Sequence, residues 1–267
     1  MDFYTEFFSW DFTREPEGYM SWQHLTIVTI AFIIAFLLAI FLGKKMRNQD
    51  WAKKIKVLKI SAILLDGFEL IKLVVYCIME NSLRALLGYL PLFLCSIPLI
   101  VLPVAAFSKG RIQKASLDFV MMFGLLGGML GTYMAGNIYS IFPVLHFHPL
   151  VSLITHSISG FSALYIGFSH AFTLEKRNVG ITIGILGVFM GIAAIVNQIG
   201  KVAHFQDNYM FLSRADGTPF AILEGWFGTE TLGYGLAVAL CMWAYMGLFY
   251  LVVSGLKHFK KTKTNPA

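Results

Sequence analysis

Residues 24–43, HLTIVTIAFIIAFLLAIFLG, form a run of twenty residues without a charged side chain. A helix that crosses the hydrocarbon core of a bilayer needs about 20 mostly apolar residues, so this run can span a membrane. Six further apolar runs follow it along the chain. The expected spans lie near 24–43, 57–79, 85–107, 117–142, 149–173, 179–200 and 231–256. The sequence therefore predicts an all-α fold, a polytopic membrane bundle of seven transmembrane helices.

The composition agrees with a membrane protein. Hydrophobic residues make up 57% of the chain and charged residues 13%, whereas a soluble domain carries about 25% charged residues. We therefore expect a multi-pass protein of the cell membrane whose partners include membrane lipids. The net charge of +6 does not indicate a nucleic-acid partner, because the basic residues sit in short loops where they set topology. Residues 1–23 are acidic and aromatic, unlike a cleavable signal peptide.

Basic residues are concentrated in every second loop between the expected spans. This alternation predicts an N-terminus outside the cell, a cytoplasmic C-terminus and an odd number of spans. No linker or internal repeat divides the sequence, so we expect a single transmembrane domain over residues 1–267. The longest non-spanning stretch, 201–230, is rich in aromatic residues and is expected against the membrane surface. The basic residues are Lys44, Lys45, Arg47, Lys53, Lys54, Lys56, Lys109, Arg111, Lys114, Lys176, Arg177, Lys257, Lys260, Lys261 and Lys263.

Glycines recur four residues apart in the fourth and sixth expected spans. Small residues at this spacing let helix backbones approach closely and pack by dispersion. We expect these faces to pack helices together and to allow a homo-oligomer to form through spans four and six. The pairs are Gly124 with Gly128, Gly127 with Gly131, Gly180 with Gly184, and Gly187 with Gly191.

Three charged residues, Asp66, Glu69 and Lys72, fall in the second expected span at a spacing of three. This spacing places them on roughly one helix face. Charged groups are costly in hydrocarbon and usually face a bundle interior or a cavity. Glu69 and Lys72 can neutralise each other, which leaves Asp66 to find another partner. Two interpretations stay open: a buried ion pair that fixes the helix rotation, or part of an active site, a headgroup site or a proton path.

The third expected span contains a cysteine between prolines. Pro91, Pro98 and Pro103 each lack a backbone N–H, so the helix loses hydrogen bonds around Cys95. Backbone groups freed at membrane depth need protein or water partners. We therefore expect a polar pocket beside Cys95 and Ser96. The alternative is that Cys95 is a small packing residue.

The fifth expected span carries His156, flanked by Ser152, Thr155 and Ser159. A histidine at membrane depth among hydroxyl groups is more typical of a functional site than of a packed core. Asn137 and Asn197 fall at the same side of the expected bundle. His146 and His148 are expected to lie at the interface. No Cys or His spacing indicates zinc, so neither a metal nor a cofactor is expected.

The segment Leu90-Pro91-Leu92-Phe93-Leu94-Cys95 resembles the Leu-Pro-Leu-x-Leu-Cys segment of the YwaF-like bacterial integral membrane proteins. Glu69, His156 and the segment Asn208-Tyr209-Met210-Phe211-Leu212 fit that family in order and spacing. One departure is Phe93, where the family often has a polar residue or histidine. Any chemical assistance from that side chain in relatives is absent here.

This resemblance extends distantly to a vertebrate family of multi-pass acyltransferases that move polyunsaturated acyl chains between phospholipids. In that family a membrane-embedded cysteine and histidine are the proposed pair. The resemblance implies that Cys95 and His156 are the catalytic residues here. The supporting polar residues are expected to be Asp66, Glu69, Asn137, Asn197, Asn208 and Tyr209.

Three functions are compatible with these patterns. The first is transfer of acyl chains between phospholipids or lipid-linked acceptors through a thioester on Cys95, with His156 as base. The second is a proton-coupled transporter or carrier that uses the intramembrane Asp66, Glu69, Lys72 and His156. The third is a receptor-like or accessory membrane subunit whose loop 201–230 binds a partner.

Overall fold

The computed structural model describes residues 3–81, 86, 89–172, 174–203 and 208–264, and these residues form helices joined by turns, with no strand among them. The all-α prediction is therefore confirmed. A 3-10 turn, Tyr209–Phe211, lies between α8 and α9. The helices are α1 Phe3–Phe8, α2 Trp22–Met46, α3 Trp51–Met79, α4 Pro98–Phe107, α5 Gly110–Tyr133, α6 Gly136–Tyr139, α7 Phe147–Ser169, α8 Lys176–Ala203, α9 Ala221–Phe227 and α10 Leu232–Thr264.

Five stretches of the described chain are helical, long and apolar enough to cross a membrane. They correspond to the first, fourth, fifth, sixth and seventh expected spans. The stretches are Trp22–Met46, Gly110–Tyr139, Phe147–Ser169, Arg177–Ala203 and Leu232–Val253. Five candidate spans identify an integral membrane protein, while seven crossings and the orientation of the termini stay predictions.

The second expected span is a helix, but it is not uniformly apolar. Helix α3 has 29 residues, or about 43 Å at 1.5 Å per residue, which exceeds the thickness of the hydrocarbon core. It carries Asp66, Glu69 and Lys72 within two turns. Its length permits a crossing, and its charges require that one face be shielded from lipid.

The prediction of a continuous third span over 85–107 is wrong. Helix α4 begins only at Pro98, and the chain before it forms turns in which the Ser96 and Ile97 amides both donate to the Phe93 carbonyl, at 2.8 and 3.0 Å. Pro98 suits the first helical position because no amide hydrogen is needed there. With ten residues, α4 is about 15 Å long, half of what a crossing needs. Residues 85, 87 and 88 of the expected span lie outside the described chain.

The described chain divides into two compact units, residues 1–173 and 174–267. The first unit is built around α7, which packs against α2, α3 and α5, while α4 packs against α3 and α5. Glycines of α5 set its distance from α7. A Cβ atom on Gly124 would lie 3.1 Å from the Ser159 carbonyl oxygen, and one on Gly128 would lie 2.9 Å from the His156 carbonyl oxygen. Close packing through the glycines of the fourth span is thus confirmed.

The acidic and aromatic N-terminal segment, residues 5–17, packs against the rest of the first unit. The Trp10 ring lies 5.6 Å from the Tyr76 ring and 5.1 Å from the Phe142 ring. The His146 ring nitrogen Nε2 donates to the Ser9 carbonyl at 3.2 Å, and the Glu17 carboxylate accepts from the Val144 amide at 2.8 Å. This segment therefore covers one end of α3 and of α7.

The second unit contains α8, α9 and α10. Thr182 on α8 and Tyr250 on α10 hydrogen-bond through their hydroxyl groups at 3.2 Å. Helix α9 has no buried residue, and Trp226 is 74% exposed. Residues 204–207 of the expected surface loop lie outside the described chain. That the two units form one transmembrane domain, and that the loop lies on a membrane surface, stay predictions.

The glycines of α8 differ from those of α5. A Cβ atom on Gly180, Gly184 or Gly191 would meet no heavy atom within 4 Å among the described residues. The close-packed face of α5 is occupied inside the first unit, so the predicted homo-oligomer would have to use α8. Oligomer formation stays a prediction.

We predict that Gly128→Ala lowers the stability of the protein by about 1–3 kcal/mol, because a methyl group 2.9 Å from a backbone oxygen forces α5 and α7 apart. The matched control is Gly184→Ala, where the added methyl meets open space and alanine favours the helix by about 0.5–1 kcal/mol. Thermal unfolding in detergent compares the two variants. Equal midpoints for both would contradict the close packing at Gly128.

We also predict that the N-terminal segment loosens in acid. Burial lowers the pKa of His146, although its hydrogen bond to Ser9 opposes that shift. When the segment detaches, His146 regains its ordinary pKa of about 6.5. Below that pH the detached state binds more protons than the packed state, so packing weakens as pH falls. A hydrogen bond from the Thr13 side chain lowers the pKa of Glu6, so that carboxylate stays ionised in this range.

The test is the hydrogen-exchange protection of residues 5–17, that is, the exchange rate relative to the intrinsic rate at the same pH. It is measured about one pH unit above and below 6.5. Asparagine accepts at a helix N-cap as His146 does toward the His148 amide, but it does not titrate. The variant His146→Asn should therefore lose the pH dependence. If acid lowered the protection of wild type and of His146→Asn equally, another group would control the segment.

Candidate functional site

A cavity of about 30 Å³ lies in the first unit between α3, the start of α4 and α7. It brings together Cys95, His156 and Glu69, which lie far apart along the sequence. This volume holds one or two water molecules, so a lipid enters only if the walls move. The lining residues are Leu65, Glu69, Lys72, Cys95, Ser96, Pro98, Leu99, Thr155 and His156.

Cys95 occupies the turn segment that precedes α4 and is partly accessible to the cavity. Its backbone packs against α5, where a Cβ atom on Gly127 would lie 2.8 Å from the Cys95 Cα atom. The Ser96 hydroxyl lies 3.9 Å from the Cys95 sulfur. Cys95 lies in turns because α4 begins only at Pro98, and the expected polar pocket beside Cys95 and Ser96 is present.

His156 is held in a defined orientation on α7. Its Nδ1 atom lies 2.7 Å from the Ser152 carbonyl oxygen and 3.3 Å from the Ser152 hydroxyl. A carbonyl oxygen can only accept, so Nδ1 carries the hydrogen and Nε2 of the neutral ring carries a lone pair. Nε2 is buried and has no hydrogen-bond partner among the described residues. The ring lines the cavity, and its Nε2 lone pair, beside Gly131 of α5, can accept a proton.

Two glycines of α5 place the thiol segment and the imidazole ring beside each other. A Cβ atom on Gly131 would collide with the His156 ring at Nε2 and Cδ2, just as one on Gly127 would collide with Cys95. Gly127 and Gly131 are about 6 Å apart along the helix axis. Cys95 and His156 therefore contact neighbouring turns on one strip of α5.

An ion pair forms part of the cavity wall. Glu69 and Lys72 lie 2.7 Å apart, and their side chains are 13% and 14% exposed. The Lys72 ammonium also lies 5.8 Å from the centroid of the Tyr89 ring. Asp66 is on the same helix but does not line the cavity, and its Oδ1 atom is buried without a hydrogen-bond partner in the described chain.

Four other residues that were expected to support the site do not line this cavity: Asn137, Asn197, Asn208 and Tyr209. Asn137 is exposed on the short helix α6. Asn197 uses both ends of its side-chain amide on the Tyr209 backbone, donating at 3.1 Å and accepting at 2.9 Å. Asn208 donates to the Arg214 carbonyl and to Asp216, and it accepts from the Ser213 amide. In the second unit these amides organise the turn after α8.

Two further histidines of the first unit have structural positions. The Nδ1 atom of His148 hydrogen-bonds with the Tyr76 hydroxyl, and its ring stacks on Phe142 at 4.7 Å. His170 lies at the end of α7, with its Nε2 atom 2.8 Å from Arg47. No group of three or more metal-binding side chains converges among the residues that the structure describes.

The two glycines that position the site were not predicted from the sequence. Gly127 and Gly131 were interpreted only as a helix-packing face, whereas they accommodate Cys95 and His156. Nor was Ser152 predicted as the group that sets the His156 tautomer. The spacing of four between Ser152 and His156 was the available signal, because residues four apart are neighbours on a helix face.

The comparisons with known proteins identify the family. The model of the TMEM164 family matches residues 19–250, whereas no curated protein and no solved structure matches the chain. This match supports neither the YwaF-like name nor an acyltransferase activity. Because it covers most of the 267 residues, including every residue that lines the cavity, the chain belongs to the TMEM164 family of multi-pass membrane proteins.

Proposed function

We propose that this protein transfers acyl chains between phospholipids, or from a phospholipid to another lipid-linked acceptor, through a thioester on Cys95. His156 acts as the general base and then as the general acid. The observation that carries the proposal is the convergence of Cys95 and His156 on one cavity, where the His156 Nε2 atom has no hydrogen-bond partner in the described part of the chain. A thiol, a base and a protected space are what covalent acyl transfer requires.

The first half-reaction loads the cysteine. His156 Nε2 takes the thiol proton while the sulfur attacks the ester carbonyl carbon of the donor lipid. The adduct collapses by breaking the bond between that carbon and the glycerol oxygen, which takes the proton from the imidazolium. A lysophospholipid leaves, and the acyl group stays on Cys95.

The second half-reaction transfers the acyl group from Cys95 to the acceptor. A hydroxyl or amine of the acceptor gives its proton to His156 Nε2 and attacks the thioester carbonyl. The carbon–sulfur bond breaks, and the thiolate recovers its proton from the imidazolium. No redox step occurs, so the chain's own residues suffice.

Two features of the cavity favour transfer. The Ser96 hydroxyl lies next to the sulfur and can donate a hydrogen bond to the oxygen that becomes negative in each adduct. The Thr155 hydroxyl already donates to the Ser152 carbonyl at 3.0 Å, so it holds the helix turn that carries the base. A volume of about 30 Å³ also limits water, which would otherwise hydrolyse the thioester.

A proton-coupled carrier is the second candidate, and one observation favours it. The Asp66 carboxylate has a buried oxygen without a hydrogen-bond partner among the described residues. A carboxylate placed in this way could exchange a proton during transport. Flux into proteoliposomes that is lost in Asp66→Asn but retained in Cys95→Ser would support the carrier and oppose the transferase.

We predict that purified protein incubated with a diacyl phosphoglyceride gains the mass of one acyl chain, and that hydroxylamine removes it. Cys95→Ser should lose this hydroxylamine-sensitive adduct, and His156→Gln should form it more slowly by about 10²–10⁴-fold. Cys77→Ser is the matched control, because it removes a thiol outside the cavity and should behave as wild type. An adduct that persists in Cys95→Ser would contradict the assignment.

We predict that Gly131→Ala slows thioester formation without removing a catalytic group, because the new methyl displaces the His156 ring. A misplacement of about 1 Å can cost about 10²-fold in rate. Gly167→Ala on α7 is the control, since an added methyl there meets nothing within 4 Å. Wild-type rates in Gly131→Ala would show that the ring need not occupy this position.

A further inference from the structure

We propose that Lys72 binds the phosphate of the phospholipid substrate and that Glu69 holds the ammonium in place while the cavity is empty. This inference rests on the proposed acyl transfer and assigns the residue that recognises the phosphate of its substrate. The substrates would be glycerol esters that carry a phosphate close to the ester, in preference to diacylglycerols.

The charges of the side chains that line the cavity support this assignment. Of the described residues that line the cavity, Lys72 carries the positive charge and Glu69 the negative charge. Both side chains are mostly buried, and removing an ion pair from water costs more than packing apolar residues in its place often would. A pair that only fixes the rotation of α3 does not need to lie beside the thiol, whereas a substrate-binding cation must be there.

The Glu69–Lys72 pair can open without a movement of the backbone. Glu69 and Lys72 lie on the same helix three residues apart, so their 2.7 Å contact can break by side-chain rotation alone. The ammonium sits on a flexible four-carbon stem and lies 5.8 Å from the Tyr89 ring centroid, so an aromatic face is available to it when it leaves Glu69. Exchange of a carboxylate for a phosphate keeps the Lys72 ammonium paired with an anion throughout.

One phosphoglyceride molecule can contact Cys95 and Lys72 at the same time. Lys72, Cys95 and His156 line one small cavity, so a ligand atom beside the sulfur is close to the ammonium. In a phosphoglyceride only the glycerol backbone separates the ester carbonyl from the phosphate. One molecule can therefore place its ester at Cys95 and its phosphate at Lys72. A diacylglycerol offers the same ester without the anion.

Binding to the inactive Cys95→Ala protein in detergent tests this directly. The probes are a soluble dihexanoyl phosphoglyceride, dihexanoyl glycerol and inorganic phosphate, and the readout is thermal stabilisation. Adding Lys72→Met should weaken binding of the phosphoglyceride by about tenfold or more, because a charge-assisted contact is lost. Binding of dihexanoyl glycerol should not change, and Lys72→Arg should restore most of the affinity.

The pair can be removed together to avoid leaving an unpaired buried charge. Glu69→Gln with Lys72→Met removes both charges, so it should fold if Lys72→Met alone does not, and it should show the same selective loss. Equal affinity of either variant and the parent for the phosphoglyceride would overturn the proposal. Binding of inorganic phosphate as tight as that of the lipid would also overturn it, by assigning the site to free phosphate.

The thioester assay separates this inference from the proposed function. If wild-type protein binds the phosphoglyceride through Lys72 but never forms a thioester, acyl transfer fails and the phosphate site stands. If diacylglycerol and phosphoglyceride load Cys95 equally well, and Lys72→Met changes neither rate, the phosphate site fails and acyl transfer stands.

Discussion

The close contact that glycines permit along α5 is the constraint on which the site depends. At Gly124 and Gly128 the backbone of α7 comes within van der Waals contact, and at Gly127 and Gly131 the Cys95 backbone and the His156 ring do. Any side chain on this strip would push one of these groups away. Packing by small residues is common in membranes, where no hydrophobic force drives helices together. Here the same packing places a thiol segment and an imidazole beside one cavity.

The interrupted helix before α4 supplies the second half of the arrangement. Helix α4 begins at Pro98, and the residues from Phe93 to Ile97 form turns instead of continuing as a spanning helix. Non-helical backbone at membrane depth is tolerated where protein covers it or where it lines a cavity. Both conditions hold around Cys95. The charged residues Glu69 and Lys72 face the same cavity, which relieves the cost of placing them on an otherwise apolar helix.

The sequence was sufficient for the helices and for part of the site, because apolar length and charge spacing are local properties. It predicted the Glu69–Lys72 pair and a polar pocket beside Cys95. It could not show the rotation of each helix, because lipid and the bundle interior are both apolar and leave similar patterns. For that reason the sequence did not reveal that the Asn197 side-chain amide pairs with the Tyr209 backbone. The third span was predicted too long, because hydropathy does not register the hydrogen bonds that prolines remove.

The most direct test of the central claim is a distance between positions 95 and 156. In a protein with Cys77→Ser and Cys241→Ser, the change His156→Cys should allow a short dithiol-reactive linker to join the two remaining cysteines. The matched control is Ile154→Cys, on the same helix at the same depth but facing away. The account predicts an intramolecular link at 156 and none at 154. Equal linking at both positions, or none at 156, would contradict the shared cavity.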